Sequence, residues 1–276
     1  MINGKKVIIV ICLIISFASV TTVLLPSLLE YRCKIRDFDD FEGKITSDIM
    51  NSNIVIVEHE EKTESEGVVH STYGVGASGV VFKQDKDVYY ALTAYHVVKN
   101  YSNAEYFIIP YGAPTYSEYR EQSEVHVPNE EYYGQFEKAT VVFADEKYDL
   151  AVISFKSEKP MNILSIEKEN PVYKEKLAVI SNPMGERFVT TYGIIKSKEY
   201  YTFESDDELI ATKTFKHNAY IDSGSSGSAV LNKNMNIIGI NIGGGTNVFN
   251  KFVYGAMVPS ELILEFLAEN NFVVKQ

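Results

Sequence analysis

The chain has 276 residues, 45% of them apolar and 23% charged, and a formal charge of −11 from 26 basic and 37 acidic side chains. That length and apolar content suit one or two globular domains and exclude general disorder, while 17 Gly and 8 Pro exclude collagen-like and low-complexity chains. The acidic balance, with no basic patch to meet phosphate, argues against nucleic acid as a partner. The cysteines are Cys12 and Cys33, too few and too close to the N-terminus for a disulfide scaffold or a cysteine zinc site in the main body.

Residues 1–6 form a short stub containing Lys5 and Lys6, followed by Val7 to Leu29, which carry no charge. As a helix this run rises about 34 Å, enough to cross a bilayer. The expectation is a transmembrane anchor over 7–29, with the stub in the cytoplasm and the rest of the chain exported, the membrane being a partner through 7–29. The alternative is a cleaved signal peptide and a secreted protein, although the small-x-small pattern near Ala18 and Val20 is poor. Residues 30–50 read as a stalk, and 51–271 as the main domain. The acidic stretch Glu58 to Glu66 reads as a solvated loop.

From Asn53 onward, short apolar runs rich in β-branched and aromatic residues alternate with Gly, Asn, Asp and Pro. Among them are Ile54–Val57, Gly79–Phe82, Val88–Thr93, Leu150–Phe155, Lys176–Ile180 and Ile237–Ile242. The pattern predicts an all-β sandwich or barrel, because βαβ units need longer helical stretches between strands. Two segments depart from it. Pro110 to Gly134 reads as a long surface loop, and Pro259 to Asn270 as a C-terminal helix, with Ser260 as its cap and Leu262, Ile263, Phe266 and Leu267 on one face.

Three local patterns carry chemistry. His96 follows an apolar strand in Leu92–Val98, Asp149 opens one in Lys147–Ile153, and Asp222–Val230 is a Gly/Ser-rich turn running into a third. Acyl transfer by a serine needs a base for the hydroxyl proton, a carboxylate to orient that base, and backbone N–H groups for the oxyanion. The order His, Asp, Ser matches this need. Either Ser225 or Ser226 supplies a hydroxyl at the turn. His217 lies nearby among polar neighbours and reads as structural or surface, while His59, His70 and His126 show no metal-ligand spacing, so no metal and no cofactor is expected.

These blocks resemble the trypsin-like serine proteases, and most closely their HtrA/Deg branch. The family's TxxHV block matches Thr93–Val97, its DLAV block Asp149–Val152 and its GNSGGP block Gly224–Ala229. Gly74–Val81, Asn182–Gly185, Ile238–Asn241 and Tyr254–Ser260 resemble further family segments in the same order. The resemblance implies two six-stranded antiparallel Greek-key barrels with a boundary near 157–175, a C-terminal helix, and the N-terminal transmembrane or signal helix before them.

It also implies His96 as general base, Asp149 as orienting carboxylate, Ser226 as nucleophile, and the N–H groups of Gly224 and Ser226 as the oxyanion hole. By family register Tyr220, Asn241, Ile242, Gly243 and Gly244 border the substrate pocket. Tyr220 brings no carboxylate to read Lys or Arg, and Asn241 replaces the acid-reading histidine of the glutamyl branch, so a neutral side chain is expected. The implied activity is a serine endopeptidase acting on exported protein or peptide substrates. Ser225, Ser228 and Ala229 depart from the family block, which keeps open an inactive, protein-binding domain. Trimerisation, common in that branch, leaves no readable signal, and the chain leaves no room for a C-terminal PDZ module.

Overall fold

The computed structural model describes residues 38–41, 43–63, 69–122, 127–205 and 208–273. The chain divides after Glu42. In the first unit the described residues form one 3-10 turn, Asp39–Phe41. The second unit opens with a one-turn helix α1 (Ser47–Met50), whose first turn is capped by the Thr46 hydroxyl, and continues into two antiparallel sheets.

The first sheet is built from β1 (Asn53–Thr63), β2 (Val69–Tyr73), β3 (Ala77–Asp85), β4 (Val88–Thr93), β5 (Ala104–Pro110), β6 (Glu137–Asp145) and β7 (Leu150–Lys156). Its order is β2-β1-β3-β4-β7-β6-β5, and a further β1–β5 ladder closes six of the seven strands into a barrel. Helix α2 (Tyr95–Val98) follows β4, and α3 (Tyr116–Glu121) and α4 (Asn129–Tyr133) follow β5. The second sheet contains β8 (Lys176–Ser181), β9 (Val189–Ile194), β10 (Tyr201–Ser205), β11 (Glu208–His217), β12 (Ala229–Leu231), β13 (Ile237–Thr246) and β14 (Phe252–Pro259), in the order β10-β11-β14-β13-β12-β8-β9. Helix α5 (Ser260–Glu269) ends the fold.

Period-two alternation explains why so many strands read as continuous apolar runs. Val81, Ala91, Ala151 and Ile153 fill the first barrel, while their neighbours Val80, Leu92, Leu150 and Val152 face outward. Those outward residues are buried against Ile180, Ala229, Leu231 and Ile240 of the second sheet and Ile263 and Phe266 of α5. Strands buried on both faces lose the apolar-polar alternation of a half-exposed sheet.

Several expectations are corrected. The second sheet is open, not a second six-stranded barrel. Its β9 edge meets β11 through a single bridge, Ile195 with His217, and one step further the Asn218 side chain accepts the Ile194 N–H at 2.7 Å, taking the place of a ladder partner. The expected N-terminal membrane helix is also withdrawn, together with the membrane partner, the signal-anchor role and the anchored location. Among the described residues no helix is long and apolar enough to cross a membrane, and residues 7–29 lie outside the described residues.

Smaller corrections follow from local hydrogen bonding. The Glu58–Thr63 part of the acidic stretch is strand, with His59–Thr63 paired with β2 and Glu58 with β5, and Glu58 and Glu60 both accept from the Asn100 amide. The supposed loop 110–134 contains α3, which has a full capping box between Thr115 and Glu118. Ser260 begins α5 without capping it, because its hydroxyl donates to the Glu169 carbonyl at 2.8 Å.

Candidate active site

His96 sits in α2, a single helical turn whose N-cap, Ala94, offers no side-chain acceptor. The first N–H groups of a helix have no partner within it. Asp149 fills that role for His96, whose backbone N–H donates to Oδ1 at 3.0 Å. The same carboxylate meets the His96 Nδ1 at 3.0 and 2.9 Å through its two oxygens. Asp149 is 4% exposed and adopts φ +49°, a left-handed conformation that Asp tolerates better than most side chains. With the Nδ1 proton donated to this carboxylate, His96 presents Nε2 as its lone-pair nitrogen.

Ser226 lies on the turn between His217 and β12. Gly224 and Gly227 flank it with φ of +93° and +82°, and neither tolerates a side chain. A Cβ at Gly224 would land on the Asn182 carbonyl, and one at Gly227 on the Ser78 carbonyl and the Thr93 hydroxyl. The turn is therefore pressed against the strand end that leads into His96. Ser78 holds the two together: its N–H donates to the Ser226 carbonyl at 2.9 Å, its hydroxyl to the Gly224 carbonyl at 2.8 Å, and its own carbonyl accepts from Thr93 Oγ1 at 2.8 Å. Sequence reasoning did not single out Ser78, although the Gly74–Val81 block contains it.

The two serines are not equivalent. Ser225 is 1% exposed, and its hydroxyl accepts from the Asp222 N–H and reaches the Ser181 hydroxyl, each at 3.2 Å. Ser226 is half-buried. Within the turn, Ser225 N donates to the Asp222 carbonyl and Gly227 N to the Asn241 carbonyl. Among the described residues, no protein acceptor takes the N–H of Gly224 or of Ser226, and no hydrogen bond joins the Ser226 hydroxyl to His96. Catalytic hydrogen bonds of this kind often tighten only when substrate binds.

The residues expected at the pocket are distributed unevenly. Tyr220 is 48% exposed, stacks edge-on against Phe252, and donates its hydroxyl to Asp222 at 2.6 Å, which holds the Asp222 carboxyl below its usual range. Ile242 is buried in the core between the sheets. Gly243 and Gly244 remain accessible; a Cβ at Gly243 would meet the Phe203 ring, and one at Gly244 the Tyr254 carbonyl first and then the Ile221 side chain. Asn241 is fully buried under the turn, its amide donating to the Ser225 carbonyl and accepting from His217, both at 3.2 Å. His217 itself is fully buried, and burial lowers its pKa to about 4. No group of three His, Cys, Asp or Glu side chains among the described residues is placed to hold a metal ion.

Comparison with known proteins agrees with this geometry. Residues 77–240 match the family model described as a trypsin-like peptidase domain. Serine protease Do-like HtrB of Bacillus subtilis is 27% identical over 59% of this chain and 32% of its own length. A serine protease HtrA-like protein of Staphylococcus aureus strain USA300 is 28% identical over 75% of this chain and 26% of its own. The chain thus spans about a third or less of these curated relatives. Among solved structures, the HtrA-type protease AlgW with decapeptide superposes with a TM-score of 0.59 at 17% identity, covering 81% of this chain and 65% of that one. The Rv3671c protease of M. tuberculosis, in an inactive form, gives 0.54 at 17% identity over 81% and 90%. Likeness at that level of identity establishes the fold. The family match and the collinear HtrA-type relatives go further, and the chain belongs to the trypsin-like peptidase domain family.

Proposed function

We propose that this chain is a serine endopeptidase that hydrolyses protein substrates through an acyl-enzyme, with exported proteins as the substrate class carried over from the HtrA/Deg resemblance. The observation that carries the reading is the buried Asp149 holding His96 by both its backbone and its ring, together with a turn whose Gly224 and Ser226 N–H groups meet no acceptor among the described residues.

In this reading the Ser226 Oγ attacks the substrate carbonyl carbon while His96 Nε2 takes the hydroxyl proton. The carbonyl oxygen, now an oxyanion, accepts from the N–H groups of Gly224 and Ser226. Collapse breaks the C–N bond, and His96 returns its proton to the departing amine. Water then attacks the acyl ester, giving up a proton to His96, and the carboxylic acid leaves as Ser226 regains its hydrogen. Ser225 is the weaker nucleophile candidate because its hydroxyl is buried and already bonded. Tyr220, Gly243 and Gly244 border the entry for the substrate side chain, and apolar Ile221 and Phe203 beside them favour a neutral residue there.

A second reading, a protein-binding domain without activity, draws on the absence, among the described residues, of a hydrogen bond between Ser226 and His96 and on the altered Ser225, Ser228 and Ala229. Labelling of the full chain with a fluorophosphonate probe separates them, with Ser226→Ala as control. Labelling of the wild type that disappears in the control supports the protease. Folded wild-type protein that stays unlabelled favours the binding domain.

A further inference from the structure

We infer that His217 and Asn241 form a buried positioning pair that aims the Ser226 N–H at the oxyanion; the inference rests on the serine-protease reading above. The Ser225 carbonyl and the Ser226 N–H are opposite ends of one planar peptide, so fixing the first fixes the direction of the second. That carbonyl accepts from the Asn241 amide at 3.2 Å and from the Ser228 N–H at 3.1 Å.

The proton arrangement has one consistent solution. A carbonyl only accepts, so the NH2 end of Asn241 must face Ser225, and its Oδ1 must face His217. The 3.2 Å contact between Oδ1 and His217 Nε2 then requires the proton on Nε2. His217 in this tautomer sets which way the Asn241 amide points. A flipped amide would oppose two oxygens at Ser225 and turn the peptide, carrying the Ser226 N–H with it.

The pair is rigid. His217 has no exposed surface, and its ring lies so close to Gly255 that any Cβ there would overlap it. The Asn241 main chain brackets the same turn, its N–H donating to the Ser228 carbonyl at 2.9 Å and its carbonyl accepting from Gly227 at 2.7 Å. The neighbouring donor is aimed by the same device with a backbone group, because Met184 N–H holds the Ser223 carbonyl at 2.7 Å and so orients the Gly224 N–H. Thus one donor is aimed by main chain alone, and the other by the Ser228 N–H together with two side chains.

The test uses the full chain and a fluorescent fluorophosphonate, reading the maximal rate of serine phosphonylation, with fluoride as leaving group, separately from the half-saturating probe concentration. Wild type, His217→Phe, His217→Gln and Asn241→Leu are compared after correcting for folded fraction by circular dichroism. Losing a whole oxyanion donor costs about 10²–10³-fold. Misaiming one is expected to lower the maximal rate about tenfold in His217→Phe and about a hundredfold in Asn241→Leu, with half-saturation unchanged. His217→Gln keeps an N–H for Asn241 and should recover most of the rate. A wild-type phosphonylation rate in folded His217→Phe and Asn241→Leu overturns the inference, as does an equal loss in His217→Gln and His217→Phe. Should His217→Phe not fold, the near-isosteric Asn241→Leu decides against wild type. An unlabelled, folded wild type instead overturns the protease reading itself, and this inference with it.

Discussion

Asp149 grips His96 at two points, accepting from its backbone N–H at 3.0 Å and from ring Nδ1 at 2.9 Å. One carboxylate therefore both starts a helical turn and selects the ring tautomer. Replacing Asp149 with Asn keeps an acceptor for the backbone but lets the amide donate to the ring, which reverses the tautomer. Phosphonylation by a fluorophosphonate is expected to fall about 10³–10⁴-fold in Asp149→Asn with little change in the circular dichroism spectrum. A rate within tenfold of wild type would count against His96 as the base.

Gly227 is predicted to be intolerant of any side chain. Its φ of +82° and the Ser78 carbonyl and Thr93 hydroxyl beside it leave no room for a methyl group. Gly227→Ala should lose about 3 kcal/mol in urea unfolding, by backbone strain and by parting the turn from the first barrel. A loss under about 1 kcal/mol would show that the turn can move aside freely.

Ser228 gives the opposite prediction. It is fully buried, and among the described residues its hydroxyl has no hydrogen-bond partner. Leaving such a group unmade costs on the order of 1 kcal/mol, and alanine removes it with little change in volume. Ser228→Ala should raise the melting temperature by about 2–4 °C, and an unchanged or lower value would mean the hydroxyl is satisfied in solution.

How much of this was legible beforehand divides by range in the sequence. His96, Asp149 and Ser226 each lie in a contiguous block of apolar and turn residues, so local pattern sufficed to propose them. The strands buried on both faces were legible for the same reason, as runs such as Leu150–Phe155. The open second sheet was not, because it turns on whether β9 and β11 pair, and side chains take the N–H groups on either side of their one bridge, Asn218 that of Ile194 and Ser197 that of Lys216. His217 and Asn241 were also opaque. They are 24 positions apart, and polar neighbours at Lys216 and Asn218 masked a fully buried ring.

The buried His217 makes stability fall in mild acid. Burial lowers its pKa from 6.5 to about 4, so between those values the unfolded chain binds a proton that the folded chain refuses. The contribution is fully present above pH 6.5, is lost as pH falls towards 4, and is worth about 3 kcal/mol at about 1.4 kcal/mol for each pH unit. Urea unfolding of wild type and His217→Gln at pH 7.5 and 4.5 checks it. The wild type should lose more stability than the variant, and equal losses would place the acid-sensitive group elsewhere.

The carbonyls behind the two proposed oxyanion donors are fastened to different parts of the chain, Ser223 to Met184 just after β8, and Ser225 to Asn241 in β13 as well as to Ser228 in the turn. A shift of either support misdirects one donor and leaves the other in place. Under the proposed mechanism the two supports act as separate factors on the rate: unseating one slows the reaction by the share of that donor, and unseating both compounds the loss.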